Sequence, residues 1–245
     1  MSITFTDCAY RYKRRSRPVL TGFSYELREG LTVLLGPNGA GKSTLLRLGA
    51  SVARPQTGRI SCGTVPSTAR EYRRLVSWMP QQIVAMAGLT AREQVAYCGW
   101  LKGMNRRDAW DGALGALGRV GLQDRAGERT RTLSGGQLRR VGVAAALVHG
   151  CEVLLLDEPT AGMDPTQRRV FRDLLKAAVD AGGLSVLMST HDVADLADDA
   201  DRVTVLSEGR VGFDGTTQGF LGHAPAGTPG SRHAEAAYAA LTPRG

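Results

Sequence analysis

The chain has 245 residues, 42% of them hydrophobic, and a formal net charge of +8. That length supports one large α/β domain or two small ones, and no apolar run approaches the roughly 18 residues that a membrane-spanning helix needs. Cys8, Cys62, Cys98 and Cys151 lie far apart with no CxxC pair, which argues against a metal knuckle or redox couple and reads as reduced cytosolic thiols.

The start, "MSITFTDCAYRYKRR", lacks the basic-then-apolar pattern of a secretory signal. Within it "SITFTDCAYRY", followed by "PVLTGFSYEL", alternates and is rich in aromatics, so these two stretches read as antiparallel strands at one sheet edge. Between them "RYKRRSR" at 11–17 gathers five basic residues. It reads as an exposed hairpin turn, with contact to phosphate or a lipid headgroup as the functional alternative. Continuous apolar runs then follow at 31–35 ("LTVLL"), 75–79 ("LVSWM"), 153–156 ("VLLL"), 185–190 ("SVLMST") and 203–206 ("VTVL"). Amphipathic stretches such as "KSTLLRLGASV" and "PTQRRVFRDLLKAAVDAG" separate them, which is the pattern of a parallel sheet covered on both faces. From about 89 to 150 strand signals vanish and three helical patterns take over, predicting an inserted helical subdomain. Beyond 222 the composition turns to Gly, Ala and Pro, so 223–245 is expected to be a flexible tail with one short helix, leaving 1–222 as the folded domain.

The stretch "GPNGAGKST", Gly36–Pro37–Asn38–Gly39–Ala40–Gly41–Lys42–Ser43–Thr44, follows an apolar strand and opens a helix. Its glycines let backbone N–H groups form a nest for phosphate above the positive end of the helix. Lys42 is then expected to reach the β- and γ-phosphates, Ser43 to hold Mg2+, and Thr44 to support the α- or β-phosphate. The strand-end pair in "VLLLDEP" supplies the remaining chemistry: Asp157 for the metal or its water, and Glu158, pointing the opposite way, as general base toward water.

A second glycine pair, in "LSGGQLRR" at 133–140, lacks a lysine. With the phosphate loop before it and "VLLLDEPTAGMD" after it, this stretch makes residues 3–222 resemble the ATP-binding cassette (ABC) family. The resemblance implies a RecA-like P-loop NTPase core with a mostly parallel sheet, an antiparallel β-subdomain at the N-terminus and the helical insertion. It implies that two cassettes pack head to tail, so that Ser134, Gly135, Gly136 and Gln137 of one chain close over ATP held by the phosphate loop of the other. Ser134 is the expected N-cap, and Leu138, Val141, Ala145 and Val148 the buried stripe of the helix it opens. Gln81 in "WMPQQ" matches the glutamine that links Mg2+ and attacking water to the helical subdomain, with Gln82 one residue away as the alternative. Asp164 matches the loop that meets the partner cassette, His191 the switch histidine at the γ-phosphate, and Tyr12 the aromatic that stacks on adenine, with Tyr10 as the alternative. Two departures are visible: Ala145 replaces a common arginine, and Met163 a common leucine.

By this resemblance the chain is an ATPase subunit, with Mg2+ as cofactor, that works on the inner face of the cell membrane through a separate permease and a second ABC subunit. Export is favoured by the likeness of "LTAREQVAYCGWLKGM" to exporter cassettes, and no nucleic-acid partner is expected. The alternatives are an importer subunit, a soluble ABC ATPase acting on ribosomes or nucleic acid, and a P-loop kinase or non-catalytic scaffold. Glu158 and His191 speak against the last pair, because nucleotide binding alone needs neither.

Overall fold

A computed structural model describes residues 1–13, 15–193 and 200–242. The chain opens with β1 (Ile3–Tyr10) and β2 (Leu20–Leu27), antiparallel partners, then β3 (Gly30–Leu35), α1 (Lys42–Gly49), β4 (Thr57–Cys62) and β5 (Val65–Pro66). A short α2 (Tyr72–Leu75) leads into β6 (Val76–Met79). Helices α3 (Ala91–Leu101), α4 (Arg106–Arg119) and α5 (Gly135–Leu147) precede β7 (Val153–Asp157), α6 (Pro165–Asp180) and β8 (Ser185–Thr190). The hairpin β9 (Arg202–Ser207) and β10 (Arg210–Thr216) and the helices α7 (Thr217–Leu221) and α8 (His233–Leu241) complete the described chain.

Two sheets result. The first, in order β2-β1-β4-β5, is antiparallel; the second runs β10-β9-β3-β8-β7-β6 and is parallel except for its β9–β10 hairpin. Strand parity divides the hydrophobic core in two. Val33, Leu35, Leu154, Leu156, Val186 and Met188 face the inserted helices and α6. Their neighbours Leu34, Leu155 and Leu187 face α1 and the aromatic side of the antiparallel sheet, where Phe5 and Phe23 meet edge to face at 5.9 Å. Because both faces are covered, these strands read as unbroken apolar runs. Although α3, α4 and α5 intervene in sequence, β6 and β7 pair directly, Val76 with Val153 through Met79 with Leu156.

The helical insertion begins at a capping box: Thr90 Oγ1 accepts from the Glu93 N–H at 3.2 Å, and Glu93 Oε2 accepts from the Thr90 N–H at 2.7 Å. Asn105 caps α4 in the same manner, accepting from the Asp108 N–H at 2.9 Å. In the basic stretch, Ser16 turns back on Lys13, its Oγ donating to the Lys13 carbonyl at 2.8 Å; Arg14 lies outside the described residues.

The C-terminal stretch differs from the expected flexible tail. Helix α8 packs on the core, with Ala237 fully buried and Ala234, Tyr238 and Leu241 partly buried around it. Spacing explains the difference: 234, 237, 238 and 241 form one helical face that a Gly/Ala/Pro composition conceals. Residues 243–245 lie outside the described residues.

Candidate active site

The parallel strands deliver the phosphate loop and the acidic pair to the same end of the sheet, beyond the strands' carboxyl ends, because β3 and β7 both pair with β8 and all three run in one direction. The phosphate loop leaves β3 at Gly36, where an added Cβ would lie 2.3 Å from the Leu206 carbonyl oxygen. Only glycine permits that approach to β9. Gly41 then takes φ 106°, a left-handed conformation that starts α1. Lys42, 6% exposed, donates from Nζ to the Gly36 carbonyl and, at 3.2 Å, to the Pro37 carbonyl. Burial lowers its pKa from the ordinary lysine value, while the charges of Glu158 and Asp157 oppose that shift.

Beneath the loop, Ser43 Oγ donates to Asp157 Oδ1 at 3.0 Å and Ser189 Oγ donates to the same oxygen at 2.9 Å. Ser189 stands opposite Asp157 in the parallel register of β7 and β8. Burial raises the Asp157 pKa above its usual value, against the two hydroxyl donors. One hydroxyl and one carboxylate beside a phosphate loop form a hard oxygen set that suits Mg2+ shared with phosphate oxygens. Among the described residues no group of three or more His, Cys, Asp and Glu gathers as a self-sufficient metal cage.

The adjacent residue faces the other way. Glu158 has φ 45°, a conformation costing a residue with a side chain about 1–3 kcal/mol. Hydrogen bonds hold it there: its N–H donates to Ser189 Oγ at 3.0 Å and to the Ser189 carbonyl at 3.2 Å. The Glu158 carboxylate accepts from Gln81 Nε2 at 2.9 Å, and His191 Nδ1 stands 3.2 Å from its other oxygen. That contact favours the tautomer with a proton on Nδ1. Gln81, Glu158 and His191, distant in sequence, therefore meet at one carboxylate. The neighbouring Gln82 instead lines a groove beside the site.

The hydroxyls of Tyr12 and Thr44 are hydrogen-bonded at 2.8 Å, and Tyr12 is 53% exposed. Tyr10 meets the Tyr12 ring edge to face at 5.3 Å, and the Arg47 guanidinium lies 5.9 Å from the Tyr12 centroid. An exposed ring tethered to the phosphate loop offers a stacking surface for a base.

The sequence profile of the ABC transporter family matches residues 20–161. The chain belongs to the ABC transporter family. Among its relatives, the phosphonates import ATP-binding protein PhnC of Thiobacillus denitrificans is 41% identical over 210 residues, covering 80% of this chain and 81% of PhnC. The linearmycin resistance ATP-binding protein LnrL of Bacillus subtilis is 32% identical, over 82% of this chain and 65% of LnrL. The daunorubicin/doxorubicin resistance protein DrrA of Streptomyces peucetius is 39% identical, over 75% of this chain and 56% of DrrA. The chain thus spans less than two thirds of either resistance protein. In fold it resembles the dimeric cassette MJ0796 bound to ADP and Pi, with a TM-score of 0.77 and 26% identity over 88% of this chain and 98% of that one. A cassette of the cbiONQ transporter from Clostridium perfringens gives 0.78 and 27%, over 90% of each chain.

In this member of the ABC transporter family the second glycine pair lies at the start of α5. Ser134 is its N-cap in a full capping box, accepting from the Gln137 N–H at 3.3 Å while Gln137 Oε1 accepts from the Ser134 N–H at 2.8 Å. Ser134 and Gly135 are exposed, and among the described residues no hydrogen bond joins 134–137 to the phosphate loop of the same chain. The buried stripe is broader than expected: Val141 and Val148 are buried as predicted, but Leu138 and Ala145 are half-buried, and Val143, Ala144, Ala146 and Leu147 are buried as well. The reason is that α5 packs between β6 and the other two inserted helices, so core surrounds more than one of its faces.

Asp164 caps α6, its Oδ1 accepting from the Gln167 N–H at 2.9 Å, with Pro165 at the first helical position. Met163 is buried in the core, as a volume-conserving replacement should be. Ala145 lines the groove of about 630 Å3 that runs beside Gln82, between the inserted helices and the core.

Sequence reasoning missed Ser189 and Arg139. The first sits inside an apolar strand pattern, and only the β7–β8 register pairs it with Asp157. Arg139, two residues past the signature, donates from Nη1 to the carbonyls of Glu158 at 3.1 Å, Pro159 at 3.3 Å and Gln81 at 3.4 Å. Its signal was present, a long cation within the same quoted octet, but its target lies on another element.

Proposed function

We propose that this ABC protein binds and hydrolyses ATP to power export through a separate membrane permease, and that it does so as a dimer closed by ATP. The observation that carries this reading is the Glu158 carboxylate held between Gln81 and His191, one residue beyond the Ser43–Asp157 pair.

Each residue has an assigned part. Tyr12 stacks on adenine, Gly36 to Gly41 wrap the phosphates, and Lys42 turns from the loop carbonyls to the β- and γ-phosphates. Thr44 supports the α- or β-phosphate. Ser43, Asp157 and Gln81 would hold Mg2+, which supplies charge neutralisation between the phosphates. Glu158 accepts a proton from water as the water oxygen bonds to the γ-phosphorus and the bridging bond to ADP breaks. His191 donates to the γ-phosphate. Ser134, Gly135, Gly136 and Gln137 close over the nucleotide of the opposite chain, which is why a phosphate-binding turn without lysine is enough there. Asp164 sits at the interface between the two cassettes. Because ATP contacts both chains, its binding drives their association by mass action.

The permease is assigned to the groove that Ala145 lines. Its lining includes Trp78, Ile83 and Leu101 together with Arg70, Arg73 and Arg74, and holds no Asp or Glu. Among the described residues no helix is long and apolar enough to cross a membrane; the passage is assigned to a separate subunit. The chain then works at the inner face of the cell membrane. Export is supported by the α3 stretch and by relatives named for resistance; PhnC, named for import, supports the opposite direction.

Purification from the native membrane tests the reading, followed by vesicle transport assays with the co-purified permease. ATP-driven movement of cargo out of the cytoplasmic side is expected. Strong stimulation of the ATPase by nucleic acid, with no membrane protein co-purifying, would replace transport with the soluble alternative.

A further inference from the structure

The catalytic carboxylate belongs to a residue with a costly backbone conformation, so something must hold Glu158 on both sides of its Cα. Ser189 holds its N–H, as described. On the other side stands a single nitrogen, Arg139 Nη1, within hydrogen-bonding distance of the Glu158, Pro159 and Gln81 carbonyls. These acceptors come from two separate segments, the one after β6 and the one after β7. The clamp therefore fixes the backbone of both residues whose side chains meet at 2.9 Å. Arg139 itself hangs from the first turns of α5, a helix anchored by its capping box and by the buried Val141, Val143, Ala144, Ala146 and Leu147. Burial pulls its pKa below the ordinary arginine value, and the nearby Glu158 charge raises it, so guanidinium and carboxylate sense each other.

We propose that Arg139 is a positioning residue for hydrolysis: it sets the backbone of Glu158 and Gln81 so that carboxylate and amide aim together at the attacking water. This rests on Glu158 as the base. Helix α5 thus has two separate tasks, its tip facing the opposite chain's nucleotide and its second turn steadying the chain's own catalytic centre. Lysine keeps the charge and three N–H donors on one nitrogen but lacks the planar guanidinium that sets their direction, and glutamine supplies a weaker, uncharged donor.

The experiment compares wild type with Arg139→Lys and Arg139→Gln. Arg139→Gln is expected to lower kcat at least tenfold with ATP affinity and melting temperature near those of wild type, and Arg139→Lys to recover part of the loss. Unchanged kcat, a fall in ATP affinity that accounts for the lost rate, or a loss explained wholly by a lower melting temperature overturns the proposal. Differently tagged chains then locate the effect. In a mixed dimer with Lys42→Ala in one chain, Arg139→Gln should cost most of the rate when placed in the chain whose Lys42 is intact. An equal fall from the Lys42→Ala chain would place the action at the signature instead and also overturn the proposal. Glu158→Gln measured alongside separates the two ideas: normal turnover there removes the base assignment itself, whatever Arg139 does.

Discussion

The side-chain amide of Gln81 donates to Glu158 Oε2 at 2.9 Å, joining positions 77 residues apart. It couples the segment that enters the helical insertion to the strand end that carries the acidic pair. Replacing Gln81 by Glu removes the amide donor and puts a second carboxylate against the first, where like charges repel. Gln81→Glu is therefore expected to lower kcat by more than Gln81→Ala, which removes the donor without adding a charge. Phosphate-release kinetics on both variants check this.

Gly36 tests the phosphate loop by sterics alone. With a Cβ 2.3 Å from the Leu206 carbonyl oxygen, alanine must push the loop away from β9. Gly36→Ala should cost about 1–3 kcal/mol of stability, and fluorescent ATP binding should fall by an order of magnitude or more. Gly39, whose added Cβ meets nothing within 4 Å, has φ 82° and is the contrasting site. There alanine strains the backbone without that collision, so a smaller effect on the Leu206 side of the loop is expected, read by hydrogen exchange of β9.

His149 makes stability depend on pH. Its ring nitrogens are buried, and burial, with the charge of Lys102, pushes its pKa down to about 4. The folded-state value lies below the unfolded one, so the unfolded chain binds the extra proton between about pH 6.5 and 4. Stability is complete above the unfolded value and falls as pH drops through that window, by up to about 3 kcal/mol. Urea midpoints at pH 7.5 and pH 5 should therefore converge in His149→Gln and diverge in wild type.

The packed C-terminal helix gives a fourth expectation. Ala237→Arg places a charge in a fully buried position of the core cluster that also holds Phe220 and should lower stability by roughly 2–4 kcal/mol. A thermal melt of that variant matching wild type would indicate that α8 leaves the core at little cost.

The parallel strands, the phosphate loop, the acidic pair and the N-cap at Ser134 were legible because each is local: an apolar run, a glycine spacing, a polar residue just before a helix. What escaped was non-local or balanced. Strands β4 and β10 carry mixed polar and apolar residues with exposed positions, so no continuous run announces them. The α8 face is made of alanines, which composition counts as linker. Ser189 and Arg139 act on Asp157 and Glu158 through sheet register and helix packing, so their contacts exist only once β7, β8 and α5 are assembled. Ala145 was visible as a departure, but its place in the groove became clear only with the helical insertion in position.

The most direct measurement is ATP-dependent assembly of Glu158→Gln, followed by light scattering on a sizing column alongside phosphate release. Removing the base while leaving the phosphate loop and signature intact should abolish turnover, preserve ATP binding and trap a dimer that dissolves when ATP is removed. A Glu158→Gln chain that hydrolyses ATP at the wild-type rate, or that stays monomeric at saturating ATP while binding it normally, contradicts the account of a shared site with Glu158 as its base.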